Sequence, residues 1–275
     1  MNNKIKLLLG VLLAIFSFYY TAKSIDLVKR IDPIMEKIEK NQDKFNISPM
    51  NARIVDDTII PGLKGKQVNI NLTYNKMKEY GTYNESLIIL KDISPKVSIK
   101  NNYDKYIISG NKKKKSVSII FYIDDLDTYR IITNYIDLEH LESTILIDSN
   151  LIESLSENDL SKYNIELNYK EINNVYVSSN TSYIENITNK KNSYCITRNK
   201  NQALLNICNT YKYHTIIPSI ILNNNPTITI KKELSNGSII LVDITNEIKK
   251  ELDYIIYYIK SKGYDIIFLN DLLKE

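Results

Sequence analysis

Few side chains in this sequence of 275 residues could carry chemistry. Asp124 and Asp125 adjoin one another after an apolar run, and with Asp127 they read as the acidic N-terminus of a helix. Asp243 closes a second apolar run, Ser238–Val242. Arg198 follows Cys195-Ile196-Thr197 at the end of another apolar run. The chain has only two histidines, His140 and His214. Each stands just before a predicted strand, so each falls at the strand's N-terminal end, the face away from the catalytic end of a β/α array. There they read as loop-packing residues rather than ligands. Cys195 and Cys208 form no zinc or C-x-x-C pattern. A strand cysteine and one in the following helix suit either a single disulfide outside the cell or two small buried apolar side chains, and the spacing favours the second. There is no Ser/His/Asp or Cys/His arrangement, no phosphate-binding glycine loop and no H-E-x-x-H helix.

The elements that must position these residues are clearest near the C-terminus. Ser238–Val242 is rich in β-branched residues and opened by Asn-Gly, which predicts a buried strand. Ile248, Leu252, Ile255, Ile256 and Ile259 recur at helical spacing, Thr245 or Asn246 can cap the helix, and Gly263 can stop it. Ile266–Leu269 then predicts another strand, completing a β-α-β unit. From Ser116 onward the same alternation predicts strands at Val117–Ile123, Ser143–Asp148, Ile165–Leu167, Tyr194–Thr197 and Thr215–Ile217. Helices are predicted near Leu126–Ile136, Leu151–Leu155, Ser182–Thr188 and Gln202–Tyr211. The fold class is therefore α/β, an incomplete or distorted parallel (β/α) barrel over residues 112–275.

The preceding chain is of a different kind. Lys4 and Lys6 lead into Leu7–Ala22, which is almost entirely apolar, the layout of an export signal or a membrane anchor. An uncleaved anchor over 1–22, touching the membrane through residues 5–22 with the domain outside, is the expectation; cleavage would make the protein secreted. Leu27, Ile31, Ile34, Ile38 and Phe45 recur with charges between them, predicting a stalk helix over 23–45, restarted at Asp32-Pro33 and capable at most of weak self-association. Residues 46–111 are of mixed character and read as an accessory segment, with a helix over Leu72–Tyr80 and a strand over Ser86–Leu90.

Hydrophobic residues make up 43% of the chain, enough for a real core, and a net charge of +4 is small for this length, so no nucleic-acid partner is expected.

Three stretches carry a resemblance to the polysaccharide deacetylases, carbohydrate esterase family 4. Lys115–Phe121 resembles that family's first strand, "K-VALTF". Glu142–Asp148 resembles its second, "KATFFI". Gly237–Asp243, Lys262-Gly263-Tyr264 and Leu269–Leu273 resemble its last unit, with its "GSIILLH" strand, "KGY" turn and "LSELL"-like end; Asn201–Asn206 fits a family helix less specifically. The resemblance implies removal of acetyl groups from N-acetylated glycans by a divalent metal on one Asp and two His, a second Asp as base and a His as acid. Carried over residue by residue, the Asp-Asp pair falls on Tyr122-Ile123, with Asp124-Asp125 two residues later. The metal histidines fall near Asn164–Tyr169, where there is none. The acid His falls on Asp243, and the family's Arg falls loosely on Arg198. The expectation is a degenerate member of the cell envelope that binds or scaffolds cell-wall glycan or peptidoglycan and needs no cofactor. The alternative is an active deacetylase rebuilt on Asp124-Asp125 with a metal such as zinc.

Overall fold

The structure, a computed structural model, describes residues 3–30, 32–168 and 194–275, together with 182, 184–186 and 188. It forms two compact units. One comprises residues 1–49 and 64–93, the other residues 50–63 and 94–275. The segment expected as accessory thus contributes to both.

In the first unit, helix α1 runs over Asn3–Arg30 and α2 over Pro33–Asn41. The restart at Asp32-Pro33 follows from local chemistry: Asp32 caps α2 by accepting from the N–H of Ile34, and Pro33 occupies the first turn, where no N–H is needed. Asp32 also binds Lys78 and the Tyr74 hydroxyl on helix α3, Ile70–Tyr80. Lys78 foremost holds its carboxyl below the usual range. Met35, Ile38, Val68, Tyr74 and Met77 make the small core.

The expected membrane-spanning segment is not supported. Among the described residues no helix is long and apolar enough to cross a membrane. The physical reason lies in length: the sixteen residues Leu7–Ala22 make about 24 Å of helix, against a hydrocarbon core of about 30 Å.

The strands, in chain order, are β1 (Arg53–Val55), β2 (Thr58–Ile60), β3 (Gly65–Val68), β4 (Leu90–Ile93), β5 (Tyr106–Ile107), β6 (Ser116–Ile123), β7 (Ser143–Asp148), β8 (Asn164–Asn168), β9 (Tyr194–Ile196), β10 (His214–Ile216), β11 (Ile220–Leu222), β12 (Ile239–Asp243) and β13 (Asp265–Ile266). β3 and β4 pair antiparallel within the first unit. All the others belong to the second.

Two sheets build the second unit. One has the order β11-β12-β6-β7-β8, wholly parallel, with β13 also on β6. The other has the order β1-β2-β5-β10-β9, parallel except for the hairpin β1–β2. The strands β6 to β12 form a round in which β12 returns to pair with β6, while β9 stands beside β8 without joining its ladder. β10 gives its free edge to β5 instead of β11, so the barrel is split into two sheets. The expected incomplete or distorted parallel barrel is what these ladders describe.

Strand alternation sorts the core in two. Ile119, Phe121, Ile145, Ile147, Ile165, Leu167, Ile240 and Val242 pack outward against the helices. Ile120, Leu146, Ile196, Ile216, Ile239 and Leu241 pack together within the curve of the strands. Helix α8, Asn246–Ser261, shows how the outer layer is made. Thr245 caps it, accepting from Ile248 N–H at 3.2 Å. All five periodic apolar residues are buried, and Gly263 beyond its end takes a φ of +75°.

The last predicted strand, Ile266–Leu269, is corrected. β13 has two residues, and Leu269–Leu273 is a helix, α9. Leu269, Leu272 and Leu273 follow i, i+3, i+4 spacing, and all three bury in the inner core. The Glu275 side chain beyond them is buried too and accepts from the N–H groups of Gly62 at 2.7 Å and Ile99 at 3.1 Å and from the Ser98 hydroxyl. Helix α4 covers Leu126–Glu139, α5 Glu157–Lys162, α6 Gln202–Thr210 and α7 Pro226–Glu233. The segment predicted as helix at Leu151–Leu155 is 3-10, Ser149–Ser154. The helix predicted over Ser182–Thr188 lies largely outside the described residues.

Candidate functional site

The C-terminal strand ends of the parallel sheet bring together five polar side chains, from β6, β7, β8, β12 and the turn after β9. Tyr122 stands near the end of β6 on the inward side that Ile120 also faces. Its hydroxyl bonds both Asp148 oxygens, at 3.1 and 3.2 Å. Asp148, at the end of β7, is almost wholly buried and accepts a further hydrogen bond from Asn168 Nδ2 at 2.7 Å. Asn168 ends β8. Opposite, Asp243 ends β12 and forms an ion pair with Arg198, Nη2 to Oδ1 at 2.5 Å. The Arg198 guanidinium also lies over the Tyr122 ring, 4.8 Å from its centroid, and so joins the two groups.

Of these five, Asn168 and Arg198 line a cavity of about 340 Å³, together with Thr197, Asn199, Lys200 and Asn201. Lys200 pairs with Asp57 at 2.6 Å, which raises the lysine and lowers the aspartate from their ordinary values. Both cations of the cavity are thus offset by carboxylates. The remaining wall presents the amides of Asn168, Asn199 and Asn201, the Thr197 hydroxyl and the apolar side chains of Leu146, Ile196, Leu204 and Leu241.

The turn that carries Arg198 and Lys200 is held at its base. Cys195 in β9 and Cys208 in α6 form a disulfide, Cα to Cα 6.4 Å, both wholly buried in the outer core. This overturns the reading of two unbridged apolar side chains. The two cysteines face each other because the turn returns α6 directly over β9, which spacing along the chain does not disclose.

The sequence candidates separate. Arg198 and Asp243 meet. Asp124 is exposed, and Asp125 is the N-cap of α4, accepting from Thr128 N–H at 2.8 Å, with Thr128 holding its carboxyl below the usual range. Ile123, where the resemblance would set a ligand, is fully buried among apolar groups. His140 is the left-handed C-cap of α4, at the start of β7. His214 opens β10, buried and stacked on Tyr103 at a centroid distance of 4.4 Å; burial pushes it down to about 4. Both histidines lie at N-terminal strand ends. Sequence reasoning did not single out Tyr122, Asp148 and Asn168 as a group. Their shared signal is a polar residue ending an otherwise apolar strand.

The donor set does not fit the metal that the resemblance implies. The strand ends offer two carboxylates, one already bound by tyrosine and amide and the other by a guanidinium. Among the described residues no three His, Cys, Asp or Glu side chains are grouped to hold a metal ion.

The solved structures that the chain resembles show its class: it has the polysaccharide deacetylase fold of carbohydrate esterase family 4. Within that class it is similar to BA3943 of Bacillus anthracis, a family 4 pseudoenzyme, at a TM-score of 0.64 and 20% identity over 89% of this chain and 96% of that one. A mutant of BA3943 with restored enzymatic activity matches at a TM-score of 0.64 and 19% identity, covering 89% of this chain and 99% of that one. The Bc1960 peptidoglycan N-acetylglucosamine deacetylase is similar at a TM-score of 0.52 and 17% identity over 61% of this chain and 92% of that one. Among curated proteins, YlxY of Bacillus subtilis, an uncharacterized protein, is 21% identical over 89% of this chain and 84% of its own length. No family model matches the sequence.

Proposed function

We propose that this is a cell-envelope protein that binds wall glycan in the strand-end cavity without hydrolysing it. The observation that carries the reading is the Arg198–Asp243 ion pair. Asp243 stands where the resemblance sets an acid histidine, and it engages a guanidinium instead of awaiting a leaving group. Tyr122 and Ile123 stand where a base and a metal ligand would be needed, and neither side chain supplies that chemistry. The cavity's charges are paired and its wall is rich in amides, which suits a ligand made of hydroxyls and acetamides. The likeness to a family 4 pseudoenzyme supports the reading, and the peptidoglycan named for Bc1960 supports the choice of partner. Attachment to the membrane through α1 belongs to the same proposal, supported by the exposed side chains of Leu8, Leu12, Leu13, Ile15, Phe16 and Phe18.

The purified chain tests this. Expected are saturable binding to chitooligosaccharide or peptidoglycan fragments, at least tenfold weaker in Arg198→Ala, no acetate release, and no bound zinc, cobalt or nickel. Acetate release that a chelator abolishes, and that Asp124→Asn or Asp125→Asn removes, would establish the metal-dependent deacetylase instead.

A further inference from the structure

The larger cavity of the second unit lies away from the strand-end site, at the opposite ends of the strands. It has a volume of about 780 Å³, within the range of small-molecule sites. Its lining joins the C-terminal end of α4, the starts of β7 and β8, and α9. Ile136, Leu141, Tyr163 and Phe268 give it apolar walls.

Its charge is one-sided. Asp137 and Lys162 cancel, paired at 2.6 Å, and the Tyr163 hydroxyl adds a bond to Asp137 at 2.9 Å. Glu142 and Asp271 are left, both exposed and in no ion pair among the described residues. The α4 helix, of fourteen residues, aims its C-terminal end here, and its last turn carries no basic side chain. The partial negative charge of that helix end is therefore uncompensated. Ser143 supplies an independent sign of a missing partner. It lines the cavity, is only 4% exposed, and its hydroxyl has no hydrogen-bond partner, where buried polar groups as a rule have one.

We propose that this groove binds a small organic ammonium ion, a primary amine on an apolar or aromatic body. The amine lies between Glu142, Asp271 and the end of α4, and the body lies against Tyr163 and Phe268. Lys162, the lysine of the lining, is paired with Asp137. Lys114, whose ammonium sits on the Asp271 and Lys274 carbonyls at 3.0 and 2.7 Å, offsets part of the Asp271 charge. Glu142 is left as the main unmatched charge, so the preference is for positive ligands.

The two histidines give the test its internal control, because His140 lines this groove and His214 is buried elsewhere. Tyramine would be titrated into the full-length chain and the imidazole signals followed by NMR, with 3-(4-hydroxyphenyl)propionate as the anion of similar shape. Expected are a saturable shift of the His140 signal with tyramine, an unmoved His214 signal, and no saturation with the propionate. Glu142→Gln combined with Asp271→Asn should raise the tyramine Kd at least fivefold while leaving the His214 signal in place, which reports an intact fold. The proposal is overturned if tyramine leaves His140 unmoved, if amine and anion bind alike, or if the double variant binds tyramine as the parent does.

Discussion

At the scale of single residues, the strand ends are occupied by groups that bind one another. Tyr122 with Asp148 and Asn168, and Arg198 with Asp243, satisfy charges and hydrogen bonds that a hydrolytic site would hold ready for substrate. The Arg198–Asp243 pair is partly exposed, so its share of stability is modest, roughly 1 kcal/mol or less, and its removal should be read in binding rather than in folding. His214 makes the opposite case, since its effect is on folding alone. Burial depresses it from 6.5 to about 4, with Glu275 pulling weakly the other way. Between those values the unfolded chain takes up a proton that the folded chain refuses. Stability is therefore complete above about pH 6.5 and declines as the pH falls toward 4, by roughly 3 kcal/mol in all. Urea midpoints of the parent should fall across that interval, and those of His214→Phe should fall distinctly less. Parallel curves for the two proteins would mean that His214 does not titrate as its surroundings indicate.

Among the elements, α8 and β9 make contrasting tests. Ile255 is 1% exposed on the face of α8 that packs against the sheet. Ile255→Asp should unfold the second unit, because an unpaired carboxylate has no solvent or partner there. Lys249→Glu and Lys260→Glu, on the exposed side, should change stability by no more than about 0.5 kcal/mol. Equal losses at all three, in thermal or urea unfolding, would contradict the packing. The disulfide spans a separation of 13 residues, and closing a loop of that size restricts the unfolded chain by about 3 kcal/mol. Cys195→Ser with Cys208→Ser should lower the unfolding midpoint accordingly, and the reduced parent should match the double variant. These elements also mark how far the sequence is legible. Ser116–Ile123, Ser143–Asp148 and the unit from Ser238 to Gly263 declare themselves because apolar runs and periodic faces are local properties. The places where Asp243 and Arg198 stand were legible for the same reason. Their meeting was not, since it depends on how two strand ends approach in space. Nor was the cysteine pair, for which adjacency in the fold and not spacing decides. The strand forecast over Ile266–Leu269 failed because a short apolar run serves β and α alike, and the leucine spacing around Leu272 settled it.

The whole molecule consists of two units unlike in size and character. The exposed apolar side chains of α1 have no core of their own, and the disulfide of the second unit suits an oxidising compartment. Both suit the envelope location proposed above. From the proposed attachment through α1, the full-length protein is expected to sediment with membranes at its unprocessed length and to lose its larger unit when intact protoplasts meet external protease. Unprocessed protein found free in the cytoplasm would refute this.

The closure of β12 on β6 sets a condition on biosynthesis. Ile239 pairs with Ser118, and Asp243 with Tyr122, so the central strand meets one of its neighbours only after some 120 further residues have been made. Until then the run SVSIIFYI presents an open apolar edge, the kind of surface that invites a wrong partner. A contact so distant in sequence also slows folding. A chain that cannot finish its barrel early stays loose enough to be threaded through a translocation channel. The same delay exposes the chain to aggregation while its synthesis is unfinished.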